Sequence, residues 1–236
     1  MVILALDSTA PSASAAIVKD GKLLAEFFLN VGLTHSVTLL PLVKNAMELS
    51  GLTIDDIDAV AVNNGPGSFT GVRIGVSLAK GLAQPADKKC IPVSTLEAIA
   101  FPFSDSDCIV ASVMDARCRQ VYGAFFNAEN GKIVRLTDDD AFSFEDLAEK
   151  IASYSKKVIL AGDGADIAFE YLKDKNLNVS VANSALKYQH ASSVAFIAER
   201  NLCNNENVLT YDQLTPAYLR LPQAERELKL KKENKK

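Results

Sequence analysis

Residues 2–22 read VILALDSTAPSASAAIVKDGK, and residues 109–132 read IVASVMDARCRQVYGAFFNAENGK. Each stretch opens on an apolar run that ends in an aspartate, Asp7 or Asp115. A second apolar run follows, then Asp20-Gly21 or Asn130-Gly131 with a lysine after the glycine. Asp-Gly and Asn-Gly between β-like runs are hairpin signals, because the glycine takes positive φ without strain. The pattern therefore predicts strand, strand, tight turn, strand, twice over. Helical periods follow each copy. In the first they lie over 35–50 and 70–84, with a strand at 58–62 between them, and a further strand (91–93) and a short helix opened by Ser94-Thr95-Leu96-Glu97 come after. In the second they lie over 144–153, 165–173 and 191–202, with a strand at 158–161. We read an internal duplication of a β-β-β-α-β-α unit, an α/β chain with the actin-like ATPase (ribonuclease H-like) architecture. The expected division is 1–105, 106–222, and a basic tail over 223–236.

The bulk numbers suit this. The chain has 236 residues, 48% hydrophobic and 23% charged, which supports one large domain or two small ones. Net charge is −4 and the pI is about 5.3, so contact with a nucleic acid needs a local basic patch or a basic partner. Cys90, Cys108, Cys118 and Cys203 show no C-x-x-C spacing, and the chain has two histidines, which argues against a zinc site. The thiols are expected buried, in a cytoplasmic protein. The start MVILALDSTA lacks a basic leader and reads as a buried strand, and no stretch is apolar for long enough to span a membrane.

In this architecture each half offers the hairpin after its first strand to a nucleotide's phosphates, with glycines giving close approach. Neither Asp7–Ser12 nor Asp115–Gln120 contains one. Asp7, Ser8, Thr9, Asp115 and Arg117 are candidate vestigial phosphate contacts, with binding weakened rather than abolished. The glycines sit instead at 63–75, NNGPGSFTGVRIG, which matches neither common phosphate-loop pattern. Gly71 and Gly75 fall inside a predicted helix capped by Thr70, where each costs roughly 1 kcal/mol, so close packing or a ligand contact should offset them.

Two helices carry surplus apolar surface. Leu39, Leu40, Leu42, Val43, Ala46, Met47 and Leu49 span an arc of roughly 180°, and Val72, Ile74, Val76, Leu78, Ala79, Leu82 and Ala83 roughly 200°. Covering a sheet needs about 100°. The excess would meet the other helix, the second half, or another chain, and another chain is favoured. Pro41 either kinks the first helix or starts it, and His35 reads as a surface or capping residue.

These residues resemble a known family. ALDSTAPSASAAIVKDGK (5–22), THSVTLLPLV (34–43), DIDAVAVNNGPGSFTGVRIGVSLAKGLA (56–83), PVSTLEAIA (92–100), VMDARCRQVYGAFF (113–126) and PAYLRLPQAERE (216–227) are similar to the TsaB (YeaZ) family of tRNA threonylcarbamoyladenosine (t6A) synthesis. The resemblance implies an accessory subunit without a catalytic centre. The chemistry then belongs to the related TsaD, which modifies adenosine 37 of ANN-decoding tRNAs and carries a metal-binding histidine pair. Here His35 is followed by apolar residues, and His190 matches no ligand motif. The implied partners are TsaD, the ATPase TsaE and a second copy of the chain, with tRNA contacted indirectly through the complex. The implied interface is His35, Leu39, Leu40, Leu42, Val43 and Met47 on the first helix, with Gly71, Val72, Arg73, Gly75, Val76, Leu78 and Lys80 on the second. No cofactor is expected to bind this chain tightly, while ATP or ADP could sit between it and its partners. A free-standing actin-like small-molecule kinase is the competing reading, and a metallopeptidase (glycoprotease) a minor one. The tail is a solvated end or a small basic patch.

Overall fold

The opening run VILALD forms β1 (Val2–Asp7), buried along its whole length. A strand buried on both faces reads as continuous apolar sequence, which is why no alternation marks it. In the computed structural model, which describes residues 1–220, β1 is the centre of a five-stranded sheet in the order β3-β2-β1-β4-β5. The partners are β2 (Ala13–Lys19), β3 (Lys22–Leu29), β4 (Ala59–Gly65) and β5 (Lys89–Ser94). Asp20 and Gly21 turn the β2–β3 hairpin at φ 47° and 74°. β4 lies parallel to β1, with Ile3 opposite Ala59.

The second sheet repeats the arrangement around β6 (Cys108–Asp115). It contains β7 (Gln120–Glu129), β8 (Lys132–Arg135), β10 (Val158–Ala161) and β11 (Val179–Val181), in the order β11-β10-β6-β7-β8. Asn130 and Gly131 turn its hairpin at φ 54° and 74°. Read outward from the central strand the two sheets have the same connectivity, so the duplication holds. The added β9 (Asp140–Ser143) pairs with β7 alongside the span that β8 leaves free. Neither β9 nor β11 was expected from the sequence; each is three or four residues long, too short to carry a period.

Helices α1 (His35–Ser50) and α2 (Phe69–Ala83) cover one face of the first sheet, closing a core that includes Leu4, Leu6, Ile17, Leu39, Val43, Val60 and Val76. Helices α4 (Phe144–Ala152) and α5 (Ala165–Leu172) cover the second sheet. The two remaining helices cross over. α3 (Thr95–Ala100) comes early in the chain, yet Leu96, Ile99 and Ala100 pack against Val110, Met114 and Phe126 of the second sheet. α6 (Ala191–Cys203) comes late, yet Val194, Ala195, Ile197 and Ala198 pack against Ile3, Ala5, Ile91 and Val93 of the first. Phe101 and Phe196 stack with centroids 5.9 Å apart, and Arg200 donates to Glu97 at 2.8 Å, joining the crossed helices. Packing therefore does not follow a division at 105/106, and the expected tail over 223–236 lies outside the described residues.

Several local expectations change. α2 begins at Phe69 and its cap is Ser68, whose Oγ accepts from the Gly71 N–H at 3.3 Å, in place of Thr70. Pro41 lies within α1, which starts at His35. Ser94 caps α3, but the Glu97 carboxylate pairs with Arg200 and Arg135. Cys90 and Cys108 are buried as expected, whereas Cys118 and Cys203 are exposed, one on a hairpin and the other at a helix end. No helix among the described residues is long and apolar enough to cross a membrane.

Candidate functional site

The glycine-rich loop is built to touch its own chain. A Cβ on Gly67 would lie 2.4 Å from the Thr9 carbonyl oxygen, one on Gly71 2.0 Å from that of Ser8, and one on Gly75 2.8 Å from Ser8 Oγ. The Ser68 N–H donates to the Thr9 carbonyl at 2.7 Å, and Ser8 Oγ donates to the Gly71 carbonyl at 2.9 Å. The start of α2 is thus pressed onto the β1–β2 hairpin. Gly71 and Gly75, expected at a surface between chains, are buried inside one chain because only a hydrogen fits there.

This contact buries the start of the β1–β2 hairpin. Asp7, Ser8 and Thr9 are each 1% exposed or less. Asp7 Oδ1 accepts from Thr9 Oγ1 at 2.7 Å and from Asn63 Nδ2 at 2.8 Å, and the Gln189 amide donates to Thr9 Oγ1 at 3.4 Å. Asp7 Oδ2 is buried without a partner. Burial raises the Asp7 carboxyl above the ordinary range, against the pull of the Asn63 and Thr9 bonds. Ser8 already spends its hydroxyl on Gly71, and the Thr9 N–H donates to Asp7 Oδ1 at 3.3 Å. Asp7 and Ser8, two of the candidate phosphate contacts, are thus engaged within the chain, while Thr9 borders a cleft together with Ala10 and Pro11.

The second hairpin is open. A cleft of about 610 Å³ lies between the two halves, bordered by Thr9, His35, Gly67, Phe69, Asp115, Arg117, Tyr122, Asp163 and residues 217–220. Asp115 Oδ1 accepts from the Arg117 N–H at 2.7 Å. Arg117, Cys118 and Arg119 take φ of 61°, 53° and 57°, a left-handed run without a glycine. Burial pushes the Asp163 carboxyl up to about 6, with the nearby Asp115 charge adding to the rise. His35 Nε2 lies 2.7 Å from the Ala10 carbonyl, so that nitrogen carries the proton and ties α1 to the first hairpin. Among the described residues no group of three His, Cys, Asp or Glu could hold a metal ion.

The expected partner interface divides in two. Leu39, Leu42, Val43, Val72 and Val76 are core residues, each 5% exposed or less, because the sheet uses more of both apolar arcs than a narrow stripe. Met47, Ile74 and Leu78 are half-buried at the edge of that core. What remains outside is Leu40, 45% exposed, with Val37 at 65% and Leu49 at 75% elsewhere on α1, and Val31 and Leu33 before it. Arg73 and Lys80 are also engaged within the chain. Arg73 Nε donates to the Tyr218 hydroxyl at 2.7 Å, and Lys80 Nζ donates to the Leu214 carbonyl at 3.1 Å. Both hold an extended C-terminal segment that runs across α2, with Leu214 fully buried and the Ala217 N–H bonded to the Asn64 carbonyl. Sequence reasoning missed this segment, Asn63, Gln189 and Asp163. A signal existed only for Asp163, as Gly162-Asp163-Gly164 directly after an apolar strand.

Two sheets of one connectivity, joined by exchanged helices around a cleft, define an actin-like two-lobed protein. The family model described as TsaD, tRNA N6-adenosine threonylcarbamoyltransferase, matches residues 30–228. A Bacillus subtilis protein called tRNA threonylcarbamoyladenosine biosynthesis protein TsaB is 28% identical, over 95% of this chain and 96% of its own. Its Escherichia coli namesake is 34% identical over 70% of this chain and 72% of its own. A Pseudomonas aeruginosa crystal structure, described as similar to peptidase YEAZ, superposes with a TM-score of 0.80 at 25% identity, covering 93% of this chain and 99% of its own. The chain belongs to the TsaB (YeaZ) family.

Proposed function

We propose that this chain serves t6A formation on tRNA as an accessory subunit that contributes no catalytic centre. The single observation that carries this is the uncovered apolar strip on and before α1: Val31, Leu33, Val37 and Leu40. Large apolar side chains grouped on one surface mark a protein contact. The occupant is a TsaD-type transferase, itself a related two-lobed chain. A second copy of this chain covers the strip when the transferase is absent, and a TsaE-type ATPase docks on the assembled pair. The packing of α2 on the β1–β2 hairpin supports the accessory role, because Asp7 and Ser8 are taken up by contacts within the chain. A nucleotide in the complex is therefore held by the partners or at the joint between subunits.

Leu40→Asp tests this. The side chain is exposed, so folding stability should change by no more than about 0.5 kcal/mol, while capture of the transferase and t6A in tRNA are both lost. Normal capture with normal t6A would refute the reading. Val76 is unsuitable for the purpose, since at 3% exposed its replacement by aspartate would test folding.

A further inference from the structure

We propose that the lip of the interlobe cleft, built from Phe69, Arg73, Arg117, Tyr122, Tyr218 and Arg220, is a docking surface for single-stranded RNA. An acidic chain needs a local basic patch for such contact, and the fold assembles one from three of its seven arginines. Among the described residues none of the three is in an ion pair, whereas Arg135 and Arg200 are.

The arginines alternate with aromatic faces. Phe69 and Tyr218 stack with centroids 4.9 Å apart, and the Arg73 guanidinium lies 4.0 Å from the Phe69 centroid. Across the cleft the Arg220 guanidinium stands 5.8 Å from the Tyr122 ring. Tyr218 keeps 41% of its surface exposed, which leaves ring area open to a stacking base. Aromatic faces beside cations are the combination that holds unpaired bases and their phosphates together. A duplex hides its base faces and can use only the charges. Asp115 and Asp163 line the interior, so phosphates are repelled from the floor and kept to the lip. A free nucleoside triphosphate, whose charge would have to enter, is a poor fit. Arg73 and Tyr218 already hold one another, so the lip is formed before any ligand arrives.

The surface rests on the t6A reading only for the source of the RNA, and the test is run on the purified full-length chain alone. Fluorescence anisotropy would follow three probes: an RNA hairpin with an unpaired loop, a blunt duplex of the same stem, and ATP. The hairpin should bind best. Tyr218→Ala should weaken it by about five-fold or more, Tyr218→Phe should restore stacking, and Arg117→Ala should lower the salt dependence by about one phosphate contact. Equal binding of hairpin and duplex, preference for ATP, or unchanged affinity in Tyr218→Ala would overturn the proposal. Transferase capture is measured on the same variants and should persist. Its loss in Tyr218→Ala with an unchanged melting curve would also overturn it, because the lip would then be a protein interface.

Discussion

Gly71 and Gly81 lie in the same helix and look alike in sequence, yet their surroundings are opposite. A Cβ on Gly71 meets backbone at 2.0 Å, while one on Gly81 meets nothing within 4 Å. Gly71→Ala should destabilise by about 3 kcal/mol, since the neighbour is backbone and cannot move aside. Gly81→Ala should stabilise by up to about 1 kcal/mol through helix propensity. Thermal melts of the two variants should shift in opposite directions. The sequence showed that something must compensate for glycines inside a helix, but not which of them were in contact. Asp7 makes stability depend on pH. Its folded carboxyl is raised, so the native state holds a proton that the unfolded chain releases first. Stability is therefore full below the ordinary carboxylate range near 3.9 and falls as pH rises toward the folded value. Asp163 adds the same sign between about 4 and about 6. Asp7→Asn keeps an oxygen for Asn63 and Thr9 and removes the ionisation. It should melt higher than the parent at pH 7.5 and lose part of the decline that sets in as pH rises above the ordinary carboxylate range.

At the scale of elements, α1 and the C-terminal segment show where sequence patterns stop. The α1 arc was read as one wide apolar surface, and the structure divides it between Leu39, which is buried, and Leu40, which is not. Adjacent residues on a helix are 100° apart, so the pattern gave the arc without saying how far the sheet reaches around it. The segment that clamps α2 has no period at all. Its anchors are one buried leucine, a single Cys90–Leu209 bridge, two bonds to Asn64 of β4, and side chains reaching from α2. Leu214→Ala should cost about 2–5 kcal/mol if the segment is part of the core, and hydrogen exchange at the Ala217 N–H should quicken with it. Exchange that stays as slow as in the parent would show that the segment is held without Leu214.

Across the whole molecule, the duplication was legible because its turns are chemically marked: Asp20-Gly21 and Asn130-Gly131 are left-handed in the structure as the dipeptides require. The exchange of α3 and α6 was not legible. Each is an ordinary apolar helix, and nothing in its composition says which sheet it will cover. A fragment of residues 1–105 should consequently fail to stay soluble, because Ile3, Ala5, Ile91 and Val93 lose the α6 face that covers them. Supplying residues 106–236 as a separate chain should recover it, measured by co-purification of the two pieces.

That exchange also constrains how the molecule can vary over time. A hybrid gene spliced at residue 105, taking its front from one relative and its back from another, would have to reconcile two foreign fits at once: the early helix in an unfamiliar seat, and the late one in another. Drift on the outer side of α1 meets no such double requirement, so binding preferences can diverge while the crossed scaffold is inherited intact.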